Sequence, residues 1–165
     1  MILQKYNSLF HEQLTPNVVG FISRIMHNQA NSNLEETALQ MLVDISEISH
    51  SKGSEQIVKF DATQGAQGFA ILPWIMNQLV SIHESDGYAS QKTSKIAIDI
   101  LNLLTNILEV DGDNMDYLLS HGIKELVLRL LEWNNPDSIS YSSEIDTLLN
   151  GLVNNLCTFS KVFDI

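Results

Sequence analysis

Three copies of one block constrain this chain more than any other feature: a short apolar helix, a polar loop, then a longer amphipathic helix. The short helices are expected over Asn17 to Met26, Ala70 to Leu79 and Gly122 to Leu131. Their apolar groups fall at matching offsets: Val18, Phe21, Ile22 and Ile25 in the first, Ile71, Trp74, Ile75 and Leu79 in the second, and Ile123, Leu126, Val127 and Leu130 in the third. This is the i, i+3, i+4, i+7 stripe of a helix buried along one side. The block recurs at intervals of about fifty residues, and a helical period of that size reads as a solenoid of stacked units rather than a closed bundle.

The long helices open with capping chemistry. Asn33 followed by Glu36, and Ser143 followed by Asp146, each offer a side-chain acceptor and then an acid near the positive end of the helix dipole. Ala38, Met41, Leu42, Ile45 and Ile48 form the apolar stripe of the first long helix, and Ile145, Leu148, Leu149, Leu152, Leu156 and Phe159 that of the third. The second, from Ile96 to Leu108, adds Ile98 and Leu103 to Ala97, Ile100, Leu101, Leu104 and Ile107, so it is apolar almost all round. Such a helix needs neighbours on both sides, as the middle unit of a stack has. Pro73 falls in a first helical turn, where its missing N–H costs least, and Trp74 reads as a core anchor.

A third, shorter element precedes each short helix: Leu3 to Phe10, Glu55 to Phe60 and Asn114 to Ser120. Three helices with a sharp turn before the second make the armadillo unit, and the polar stretches Ile82 to Thr93 and Glu132 to Ser142 serve as the loops that lengthen it. The expected fold is all-α: an armadillo/HEAT-type right-handed superhelical solenoid in a single domain, 1–165. Its repeats would occupy roughly residues 1–50, 51–110 and 111–165.

Composition narrows the partners. Nine Lys and Arg against twenty Asp and Glu give a net charge of −11, and Arg24, Lys92, Lys95, Lys124 and Arg129 are scattered along the chain. A phosphate backbone is repelled by such a surface, so no direct nucleic-acid contact is expected; the charge serves either solubility alone or a docking surface for basic partners. Cys157 is the single cysteine, so no intrachain disulfide can form, and its neighbours Leu156 and Phe159 place it in the expected core. No apolar run reaches the eighteen or so residues of a membrane span and no signal peptide is evident, so the expectation is a soluble nuclear or cytoplasmic protein without a membrane partner.

Motifs for chemistry fail on inspection. His11-Glu12-Gln13-Leu14-Thr15 lacks the second histidine of a zinc-protease helix. Asp111-Gly112-Asp113-Asn114-Met115-Asp116 lacks the glycine and the bidentate glutamate of a calcium loop and reads as a turn, with Asp113 or Asn114 as helix cap. Gly65-Ala66-Gln67-Gly68 is too short for a phosphate loop, and His27, His50, His83 and His121 have no partners at ligand spacing. The expectation is therefore no enzyme, no metal and no cofactor.

One constellation points to binding. Armadillo long helices carry an Asn in the stretch Leu-x-Asn-apolar, whose amide can donate to and accept from an extended peptide backbone. Asn106 in Leu104-Thr105-Asn106-Ile107 and Asn155 in Val153-Asn154-Asn155-Leu156 match that position, and Asp44 in Leu42-Val43-Asp44-Ile45 is equivalent. Nuclear-import armadillo repeats set a Trp four residues before each groove Asn; here Gln40, Asn102 and Gly151 stand there instead, so a general import receptor is not expected. Asp44, Asn102, Asn106 and Asn155 are thus the peptide-groove candidates. The competing reading is that polar residues simply occupy the exposed side of each helix.

The stretches Gly65-Ala66-Gln67-Gly68 into Ile71-Leu72-Pro73-Trp74-Ile75-Met76, Asp111-Gly112-Asp113-Asn114 before Leu118-Leu119 and Gly122-Ile123, and Asn135-Pro136 before Asn155-Leu156-Cys157 follow one order. In this the chain, from about Leu14 onward, resembles the beta-catenin-like protein family, nuclear armadillo-like proteins of the spliceosome. The resemblance implies the central repeats of a scaffold in the nineteen complex of pre-mRNA splicing, binding basic, localisation-signal-like segments of partners such as the complex's Myb-like subunit. The alternative is a cytosolic regulatory or adaptor module that receives small GTPases on its convex face or loops. The apolar residues Phe159, Val162, Phe163 and Ile165 further predict that the solenoid continues past this chain or self-associates through that end face.

Overall fold

Apolar stripes become helices. The computed structural model of the chain describes residues 15–27, 32–47, 52–63, 68, 70–85, 91–108, 112–134, 136–137 and 142–159. Among them the protein is all-α and contains no strand, with helices α1 (Thr15–His27), α2 (Ser32–Ser46), α3 (Lys52–Ala62), α4 (Ile71–Ser85), α5 (Gln91–Leu108), α6 (Gly112–Ser120), α7 (Ile123–Trp133) and α8 (Ser143–Phe159). The element expected over Leu3 to Phe10 and the apolar residues Val162, Phe163 and Ile165 lie outside the described residues.

The three long helices α2, α5 and α8 pack side by side with α5 in the middle. This is what the near-continuous apolarity of α5 demands: Ile96, Ala97, Ile100, Leu101, Leu103, Leu104, Ile107 and Leu108 are all buried. The short helices close the other side. α1 packs on α2 and α3, α4 on α5 and α7, and α7 on α8 and α6. Gly122 makes the sharp turn between α6 and α7 at φ 88°, a left-handed conformation that glycine adopts without a Cβ penalty.

Several boundaries differ from the sequence expectation. α4 continues through Ser85 because Ile82 extends the buried stripe of Ile75 and Leu79, so the first four residues of the expected loop are helical. Gln91 to Thr93 already belong to α5, and Glu132 and Trp133 to α7. In α1 the buried face is Val19, Ile22, Ser23 and Met26, whereas Phe21 is 59% exposed, so the stripe is rotated from the expected one. Cys157 is exposed rather than in the core, because Leu152 and Leu156 take the inward positions of α8. Asn114 lies inside α6 and is buried, so it is no cap; Asn33 likewise follows the first helical residue, Ser32.

The cap of α8 is Ser142 rather than Ser143: its Oγ accepts the Ile145 N–H at 3.3 Å. Buried Asn134 sets this up, accepting the Ser142 N–H at 3.0 Å and donating from Nδ2 to the Ser142 carbonyl at 2.9 Å. The pair clamps Ser142 outside the helix. Asn134→Ala should cost about 1 kcal/mol or more in urea unfolding, since it leaves the Ser142 N–H without its partner, while the Ser142 carbonyl keeps the Asp146 N–H at 3.0 Å. A loss within experimental error would show that the clamp carries no stability.

A second junction joins α2, α3 and α5. Ser54 Oγ donates to the Ser46 carbonyl at 3.1 Å and to that of Asn106 at 3.4 Å, while Ser46 Oγ donates to the Val43 carbonyl at 2.6 Å. Gly53 lies against the end of α2 so closely that a Cβ there would overlap the Ile45 carbonyl oxygen.

Candidate functional site

Two surfaces qualify. The first is the outer edge of the long-helix layer, where the sequence places its groove candidates. Asp44, Asn102, Asn106 and Asn155 are all partly exposed. Asp44 accepts a bond from Gln40 Nε2 at 3.3 Å, an i, i+4 pair on the surface of α2. Asn106 is drawn inward: its Nδ2 donates to Ser46 Oγ at 2.9 Å, so its amide nitrogen braces the α2–α5 contact. Ser46, not Asp44, is therefore the residue of α2 that Asn106 meets. On α5 the outward polar residues include Lys92, Lys95 and Asp99, with Lys95 and Asp99 paired at 3.4 Å. On α8 it is Asn154 that is exposed and Asn155 that is partly covered.

The second surface is a cleft of about 610 Å³ lined by residues of α1, α3, α4, α6 and the turns beside them. Its wall includes Asp61, a residue the sequence reading passed over. Asp61 is 1% exposed, and its two carboxylate oxygens accept the N–H groups of Ile71 at 2.8 Å and Leu72 at 2.7 Å. A side chain from α3 thus caps the first turn of α4 across the intervening loop, answering donors that have no partner within their own helix. Tyr117 of α6 also hydrogen-bonds the carboxylate.

Burial dominates the chemistry of Asp61, pushing its pKa up to about 6 against the opposing pull of the Ile71 and Leu72 amides, the Tyr117 hydroxyl and nearby His121. The Tyr117 hydroxyl is raised well above its usual value, first by burial and then by the Asp61 charge.

Rings surround this carboxylate. Tyr117 and His121 lie tilted with centroids 4.3 Å apart, and His121 Nδ1 is 2.9 Å from the Tyr117 carbonyl. His27 and Trp74 face each other at 5.8 Å, so Trp74 is a half-buried wall of the cleft as well as a core contact. Two histidines judged isolated in sequence therefore share one cleft. Among the described residues no group of three or more His, Cys, Asp or Glu could hold a metal. A sequence signal for Asp61 did exist: it stands four residues after Ile57 and three after Val58, both buried, so a carboxylate falls on the inward face of α3.

A narrower cleft of about 260 Å³ continues from Asn77 and His121 along α4 and α7 to Arg129. There Arg129 lies over the Trp133 ring at 4.5 Å and 3.9 Å from Glu84, while His83 stacks on Trp133 at 4.4 Å and 1°. Burial lowers the pKa of His83, with Glu84 opposing. The stack fastens the end of α4 to the end of α7. No family model, curated protein or solved structure matches this chain.

Proposed function

We propose that the chain is a non-catalytic protein-interaction module, a run of armadillo-type repeats that holds Lys/Arg-rich segments of partner proteins along its long-helix face. The observation that supports this most is the unbroken layer of α2, α5 and α8, whose outer edge carries polar side chains on all three helices. Stacked helices with one polar edge suit an extended peptide, because amide and carboxylate groups recur along its length. The net charge of −11 favours a basic one. Asp44, Asn102 and Asn155 are the residues placed to meet it, with Asn106 contributing the acceptor side of an amide whose nitrogen holds Ser46. Association with the splicing machinery, and residence in the nucleus, rest on the sequence resemblance; recovery of splicing proteins from nuclear extract supports them, and nucleotide-dependent recovery of a GTPase refutes them.

The groove itself is tested with a fluorescent Lys/Arg-rich peptide. Its affinity should fall several-fold between 50 and 200 mM salt, and by about tenfold on Asp44→Lys. Affinity indifferent to both removes the long-helix face as the binding surface.

A further inference from the structure

We propose that the wider cleft is a receptor for a single cationic side chain, the ammonium or guanidinium of a Lys or Arg presented by a partner polypeptide. Three observations converge on this chemistry. The lining includes the rings of Trp74 and Tyr117, with His27 and His121 beside them, and a cation is drawn to the faces of an indole and a phenol. Asp61 is the one carboxylate of the lining and no Lys or Arg joins it, so the cleft is biased toward a cation even though both Asp61 oxygens are bonded to the amides of Ile71 and Leu72. The positive end of α4, which would otherwise attract an anion, is already answered by both oxygens of Asp61.

The shape orients the guest. The narrower cleft carries both Glu125 and Arg129, the latter paired with Glu84, so its charges answer one another, whereas the wider end between Trp74 and Tyr117 has no cation of its own. The aliphatic stem of the Lys or Arg would lie against the indole of Trp74, with its head toward the carboxylate side and the exposed amide of Asn77 at the mouth. This site shares no residue with the long-helix face, so it stands or falls separately from the groove proposed above.

The test titrates the intact protein, followed by NMR of the Trp74 indole N–H and the His27 and His121 rings, with four probes. These are Nα-acetyl-lysine methylamide, its arginine counterpart, the uncharged norleucine counterpart and inorganic phosphate. Saturable shifts with the two cations at millimolar concentration, and at least about tenfold weaker ones with norleucine, are the expected result. Trp74→Leu should abolish them. Asp61→Asn should erase the preference for lysine over norleucine; if that variant does not fold, the lysine-to-norleucine comparison on the natural protein decides alone. Equal response to norleucine would make the cleft an apolar slot, a response to phosphate would make it an anion site, and no response to either cation would leave no side-chain receptor there; each of these overturns the proposal. Peptide binding at the long-helix face reports instead on Gln40 and Asn102, so failure of one site is distinguishable from failure of the other.

Discussion

Gly53→Ala should lower stability by at least about 3 kcal/mol, the upper range of overpacking costs, and we expect it to be among the most damaging single-methyl additions in the chain. The new Cβ would overlap the carbonyl oxygen of Ile45, a backbone atom at the end of α2 that cannot rotate away. Relief requires α3 to withdraw, which stretches the Ser54 bonds to the Ser46 and Asn106 carbonyls at 3.1 and 3.4 Å. The sign is diagnostic. At an unhindered helical position the same change would stabilise by up to about 1 kcal/mol through helix propensity. Urea unfolding of Gly53→Ala measures the difference, and a variant as stable as the natural protein would show that α3 does not approach α2 as described.

The second large effect is a pH dependence of opposite sign to that of an ordinary capping carboxylate. Asp61 in the folded protein titrates near 6, against 3.8 as the reference value for the unfolded chain. Between those limits the folded state holds more protons than the unfolded one, so the stability contributed by this group falls as pH rises from about 4 to about 6. At 1.36 kcal/mol per unit, the loss amounts to about 3 kcal/mol, complete above the folded value and absent below the unfolded one. Tyr117 and His121 are the titratable groups that act on the carboxylate, and both favour its ionised form without offsetting burial. The measurement compares the natural protein with Asp61→Asn by urea unfolding at pH 4 and pH 7. The natural protein should lose ground to the variant by about 2 kcal/mol between the two, because pH 4 already lies just above the unfolded value. A constant difference across that range would mean that Asp61 is solvated in the folded protein.

Much of the helical framework can be read from periodicity, because a buried stripe every three or four residues leaves little other choice. Leu103 and Ile98 revealed in advance that α5 has neighbours on both sides, and α2 and α8 supply them. Periodicity fails where a tertiary contact decides. Ser142 rather than Ser143 caps α8 because Asn134, distant from the helix in sequence, holds it. Phe21 is exposed in α1 because Val19 and Met26 define the inward face, and a rotation of one residue is invisible to a pattern rich in apolar groups. Spacing alone also leaves the amide of Asn106 without a partner inside the fold, whereas packing gives its nitrogen to Ser46 Oγ. Most of the cleft was hidden for the same reason. Tyr117 and His121 are four residues apart at the end of α6, but His27, Asp61 and Trp74 come from other helices at no common spacing, so only the packing of those elements assembles the five.

The central position of α5 has a consequence for how the chain comes apart. It packs against α2, α3, α4, α6 and α8, and its inward residues are almost entirely shielded from water. α1 and α7 can loosen, or α8 peel away, while α5 keeps a covered face, but no neighbour can hold its place once α5 leaves. Local opening therefore begins at the two edges, and the amides of α5 exchange with solvent only when the whole molecule unfolds. The outer helices can then yield to a partner at little cost while the middle one keeps the register between them.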